Sequence, residues 1–166
     1  MATLKYASEA DMRADFQKVA KQAGLAVDVK NYTCGFSPDA SAYHMALKAP
    51  DVSSQSLANG VDVSIVRLVL PKPKAGLSPI PASGFYIVNA KVDPKKGTGT
   101  ARLRNLKGQP SGEFAMVREA GGGKGPVASP NFHTSVHTLM CAIKIDLHFQ
   151  SAGTLWIEKI DLYRAH

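Results

Sequence analysis

The stretch Leu139-Met-Cys-Ala-Ile-Lys-Ile-Asp-Leu-His-Phe149 decides the fold class. Leu139, Cys141, Ile143, Ile145, Leu147 and Phe149 share one phase of a two-residue period, while Met140, Ala142, Lys144, Asp146 and His148 share the other. Successive side chains of a strand point to opposite faces, so the pattern predicts an antiparallel strand with one face on the core and one wetter. Ser151-Ala-Gly153 then turns the chain, and Thr154-Leu-Trp-Ile-Glu-Lys-Ile-Asp-Leu-Tyr163 brings it back. Leu155 and Ile157 share a phase, and Ile160 and Leu162 take the other, which predicts a β-bulge near Glu158-Lys159.

The same period recurs upstream. Leu25, Val27 and Val29 alternate with Ala26, Asp28 and Lys30, and Tyr43, Met45 and Leu47 alternate with His44, Ala46 and Lys48 between Pro38 and Pro50. The polar segment 51–60 ends in the turn signal Asn59-Gly60, and Val61 to Leu70 reads as a β-rich strand stopped by Pro71-Lys-Pro-Lys. After a Pro-rich stretch, 71–82, Tyr86, Val88, Ala90 and Val92 mark one strand face. Asp93-Pro-Lys-Lys-Gly97 is a turn, and Ala101, Leu103 and Asn105 then alternate with Arg102 and Arg104, giving a strand with one basic face. Phe114 to Val117 is a further short strand, and Gly121-Gly-Gly-Lys-Gly-Pro126 a loop.

One helix precedes these strands. Ser8 is a good N-cap, with Asp11 three residues on; Met12, Phe16, Val19 and Ala23 then form an apolar stripe, and Gly24 is a stop. The pattern predicts an amphipathic helix over 8–23 packed on a β domain of about eight strands, with no βαβ rhythm and no internal repeat. Strands at this spacing make a sandwich or a barrel.

Composition fits one globular domain. The chain has 166 residues, 45% hydrophobic and 20% charged, which is long enough to bury a core without metal or crosslinks. The net charge of +7 favours an anionic partner, but no run of five positive residues occurs, which weakens a nucleic-acid reading. The two cysteines, Cys34 and Cys141, are expected to stay unpaired, Cys141 as a small core residue. No apolar signal segment opens the chain and no run long enough to span a membrane occurs, so export by a signal peptide and membrane insertion are not expected.

The segment Gly153-Thr-Leu-Trp-Ile-Glu-Lys-Ile-Asp-Leu-Tyr163 resembles the last strand of jelly-roll carbohydrate-binding modules, with Glu158-Lys159 in place of their acidic pair. The strand 139–149 resembles its hairpin partner, and Phe85 to Asn105 an earlier hairpin of the same fold. The resemblance implies a mostly β, antiparallel jelly-roll sandwich with one N-terminal amphipathic helix: 1–24 as arm and helix, 25–166 as the jelly-roll domain. Jelly rolls also build viral and phage particles.

Chemistry-bearing residues are sparse. His133 and His137 are four apart; on a strand that is roughly 13 Å, too far to share one zinc with bonds of about 2.1 Å. Ser135 lies in no Gly-x-Ser-x-Gly elbow, and Cys141 beside His137 or His148 sits on a core phase where a thiol is inert. Asp146 and Glu158 are expected to oppose each other across the last hairpin with Lys144 and Lys159 nearby, which reads as a charge ladder, not a carboxylate pair flanking a cleft. The glycine loop lacks the Lys-Ser/Thr of a phosphate loop.

Read together, these residues predict no catalytic centre, cofactor or metal. The leading expectation is a structural protein of a bacteriophage virion, made in the host cytoplasm, such as a capsid decoration protein. Its expected partners are the major capsid protein or copies of itself, met through Arg102, Arg104, Lys107, Lys95, Lys96 and Trp156 and through the N-terminal arm. A carbohydrate-binding module stacking sugar on Trp156 or Tyr163 is the first alternative. Nucleic-acid binding through the 95–107 patch is the second, disfavoured because few aromatics interleave with it.

Overall fold

A computed structural model describes residues 4–165 except 39, 52, 71–76, 80, 81, 94, 95, 120–135, 140, 141, 152, 153 and 162; from residue 116 on it describes backbone and strand register. In chain order the elements are α1 (Glu9–Gln22), β1 (Val27–Ser37), β2 (Ala40–Leu47), α2 (Ser54–Asn59), β3 (Val61–Val69), β4 (Leu77–Pro79), β5 (Gly84–Asp93), β6 (Thr98–Asn105), β7 (Pro110–Glu119), β8 (Val136–Leu139), β9 (Ala142–Ser151), β10 (Thr154–Asp161) and β11 (Tyr163–Ala165).

The chain is mostly β, with a helix at the N-terminus. Six strands, in the order β1-β2-β3-β5-β6-β7, pair antiparallel, and β10, β9 and β8 extend the sheet beyond β7. β4 and β11 form a separate two-stranded ribbon. The first six strands form a meander, each pairing with the next one of the sheet in the chain. Beyond it the order β7-β10-β9-β8 is a Greek-key crossover, because β10 returns to lie beside β7 while β8 takes the edge; the two packed sheets of a jelly roll are not seen in the described pairing. Cα atoms of β8 come within 8 Å of β1 and β2, so the sheet curls until its two ends approach.

α1 forms where the sequence predicts it. The Ser8 hydroxyl accepts a bond from the Asp11 amide (3.1 Å), and Gly24 takes φ 72° just past the end. Met12, Phe16, Val19 and Ala20 are buried against Tyr43, Met45, Leu47, Ile65 and Ile87. Phe16 meets Phe85 edge-on at 5.4 Å between centroids. The opposite face of the sheet carries a second cluster, built on Ala40, Ala42, Val66, Leu68, Tyr86, Val88, Ala90, Val92, Ala101 and Leu103 and covered in part by Leu57 of α2.

Several local expectations change. β2 is buried along both faces, because α1 covers one and the curled sheet encloses the other, so His44 and Ala46 are not on a wet face. Segment 51–60 holds α2: Ser53 caps it by accepting from the Ser56 amide, and Gly60 of the expected turn ends it at φ 101°. The 139–149 alternation is not one strand, since Leu139 of β8 is registered with Ala142 of β9 as its hairpin partner. Nor is there a bulge at Glu158-Lys159: β10 keeps an unbroken register with β9 from Thr154 to Asp161. The loop 121–126, His133, Ser135, Cys141 and Gly153 lie outside the described residues.

Candidate functional site

On the α1 side of the sheet, Asp62, Asn89, Arg102 and Glu113 form one cross-strand row over β3, β5, β6 and β7. A β-bulge places Asp62 in it. Asp62 is registered with Asn89 and Ser64 with Val88, so Val63 is an extra residue, and the alternation changes phase there. A second irregularity, between Leu103 and Arg104, leaves Ser111 unmatched on β7 and bends that hairpin beside the row.

The row is hydrogen-bonded from Asp62 to Arg102. Arg104 donates to both oxygens of Asp62 (2.7 and 2.8 Å), and Asn89 Nδ2 donates to Asp62 Oδ1 (2.9 Å). Arg102 Nη2 donates to Asn89 Oδ1 (2.9 Å). The Arg104 guanidinium, bonded to Asp62, holds its carboxyl below the usual range against the opposing effect of burial. A bidentate arginine–carboxylate pair fixes geometry as well as charge. Arg104 is thereby neutralised, whereas the partner of Arg102 is a neutral amide. Asn89, Arg102, Arg104, Gly108, Pro110, Gly112 and Glu113 line a groove of about 490 Å³.

Gly60 meets this network from below. A Cβ there would lie 2.6 Å from Arg102 Nη2 and 2.8 Å from Asn89 Oδ1, and φ is +101°, a region L side chains avoid. Gly60→Ala is expected to cost about 1–3 kcal/mol and to displace the Arg102 guanidinium. An unchanged urea midpoint in the variant would show that the contact has no energetic weight.

The predicted basic patch is divided. Lys96 lies in the β5–β6 turn and Lys107 in the β6–β7 turn, at opposite ends of β6 and roughly 25 Å apart along the strand. Arg102 and Arg104 lie between them, in and beside the groove. Lys95 is outside the described residues. Trp156 lies on β10, a strand flanked by β7 and β9, and is registered with Arg118 and Phe149. Tyr163 is on β11, registered with Pro79.

The other candidates are placed as follows. Asp146 is registered with Lys159 and not, as expected, with Glu158, whose partner is Leu147; Asp161 is registered with Lys144. His137 is on β8 and His148 on β9. Cys34 is a free, exposed thiol whose pKa is raised, first by partial burial and then by Glu9. Among the described residues no three His, Cys, Asp or Glu side chains converge on a metal-sized site.

One polar pair escapes sequence reasoning. His44 Nε2 and Ser64 Oγ are 2.6 Å apart, and both residues are 0% exposed. Burial lowers the His44 pKa to about 3, so the ring is neutral at ordinary pH. The composition is that of a nucleophile and its base, but the enclosure keeps solvent from the described atoms of both. The only sequence signal was a histidine in phase with Ala42 and Ala46. Comparison with protein families, curated proteins and solved structures finds no match.

Proposed function

We propose that the protein acts without catalysis, as an assembly protein that docks on carboxylate-bearing protein surfaces through the groove beside Arg102. The supporting observation is an arginine that, among the described residues, donates to a neutral amide and lines a groove on the hairpin whose turn exposes Leu106. A guanidinium carries five donors in a planar fork that matches a carboxylate, and an adjoining apolar side chain adds buried area to such a contact. Continuous nucleic acid fits this surface less well: Arg104 is already paired with Asp62, Glu113 opposes phosphate, and Lys96 and Lys107 lie at opposite ends of β6. Attachment to a capsid, as a virion decoration protein, is the narrower form of this proposal. It draws on composition and on the jelly-roll resemblance.

The test is retention on immobilised polyglutamate, with double-stranded DNA as the parallel surface. Arg102→Glu is expected to weaken polyglutamate binding about tenfold, the scale of one charge-assisted hydrogen bond of ~1.5 kcal/mol. Lys96→Glu makes the same charge change at the far end of β6 and should have a much smaller effect. Equal losses in the two variants would mean that net charge, not the groove, attracts the anion.

A further inference from the structure

We propose that the groove is half of a self-complementary interface whose occupant is a second copy of this chain, Arg102 of each copy meeting Glu113 of the other. This rests on reading the groove as a protein-docking surface, and it names the partner.

The reason lies in how Arg102 and Glu113 are placed. They are registered partners on neighbouring antiparallel strands. Opposite charges at such positions, with Cβ atoms about 5 Å apart, ordinarily pair. Here they do not: among the described residues the ion pairs within 4.0 Å are Arg13–Glu9 and Arg104–Asp62. Arg102 is drawn the other way, to Asn89, on the side where Asp62 also lies. The Glu113 carboxylate is left exposed, with no side-chain hydrogen bond to any described residue. The groove therefore shows a cation and an anion side by side, neither satisfied by the other.

That pattern selects among partners. A polyanion gains Arg102 but is held more weakly because Glu113 repels it, and a polycation the reverse, so a surface carrying both signs fits better than either. A second copy turned by a two-fold axis between the two side chains satisfies both at once, because in such an interface residue i meets j while j meets i. The β6–β7 turn supplies apolar contact from Leu106, 38% exposed, and from exposed Pro110 at its end. One hairpin face is smaller than the ~800 Å² per partner of a standard stable interface, so the dimer is a weak, concentration-dependent one.

Sedimentation equilibrium of the full chain from about 1 μM to about 1 mM, a range bracketing micromolar to millimolar affinity, tests this. Wild type should pass from monomer to dimer. Arg102→Glu and Glu113→Arg should each weaken association tenfold or more, and Arg102→Gln, which keeps a donor for Asn89, should weaken it as well. The R102E chain presents two carboxylates and the E113R chain two guanidinium groups, so an equimolar mixture should dimerise again. Thermal melts establish that each variant is folded; if R102E is not, R102Q with E113R carries the test. Wild type that stays monomeric at the highest concentration, a dimer indifferent to these substitutions, or a mixture that does not recover each overturns self-docking. If self-docking fails while R102E still lowers polyglutamate retention selectively, the docking function survives it; loss of both effects removes both readings.

Discussion

Phe16→Ala is expected to destabilise the protein by about 3–5 kcal/mol, the range for emptying a buried aromatic site. Phe16 is 0% exposed and packs among Met12, Val19, Met45, Ile65 and Ile87, edge-on to Phe85. The loss is large for two reasons. The cavity would sit between a helix and a sheet, where neither side can collapse into it freely. In addition, α1 has 14 residues, a length at which an isolated helix is marginal in water, so its order depends on this contact. Typical domains are stable by only 5–15 kcal/mol, so the variant should show a greatly lowered urea midpoint. Gln17→Ala, on the exposed side of the same turn, should shift it by no more than about 0.5 kcal/mol. A Phe16→Ala variant as stable as wild type would mean that α1 is a detachable arm and not the cover of the sheet.

His44 should make the fold acid-sensitive well above the carboxylate range. Its folded pKa is lowered to about 3 from an ordinary 6.5, because burial penalises the charged ring. The unfolded chain therefore binds a proton below pH 6.5 that the native state refuses. Stability from this residue is full above pH 6.5, falls as pH drops below it, and stops falling near pH 3, at about 1.4 kcal/mol per pH unit in between. Asp62 acts in the same direction at lower pH: its depressed folded pKa gives stability that is present above its unfolded value and lost as pH falls through the folded one. The difference between wild type and His44→Gln across pH 7 to 4 isolates the histidine. The wild-type curve should be the steeper. Parallel curves would show that the ring is protonated in the folded protein.

Local patterns carried much of this fold. The Ser8 cap, the apolar stripe and Gly24 were enough to place α1, because caps and stripe are set by residues a few positions apart. Tyr86, Val88, Ala90, Val92, Ala101 and Leu103 face the core as their alternation predicts, because β5 and β6 run in unbroken register. Alternation failed where the backbone changes phase. Strict period two from Val61 to Leu70 puts Asp62 with Ser64, Val66 and Leu68, inside the protein. The extra residue Val63 moves it to the other face, onto Asn89 and Arg104. The polar row, and with it the separation of Arg102 from Glu113, was thus invisible along the chain.

By itself the sequence determined that this is a mostly β chain with a capped amphipathic helix in front, and that Arg102 and Arg104 share one strand face. Those properties depend on neighbours within a turn or a strand. Only the tertiary structure decided which strands pair, that β2 is covered on both sides, that His44 lies in an interior, and that Arg104 is spent on Asp62 while Arg102 is not. Each depends on residues brought together from separate strands, and a one-residue bulge is enough to turn a side chain from the core to the groove.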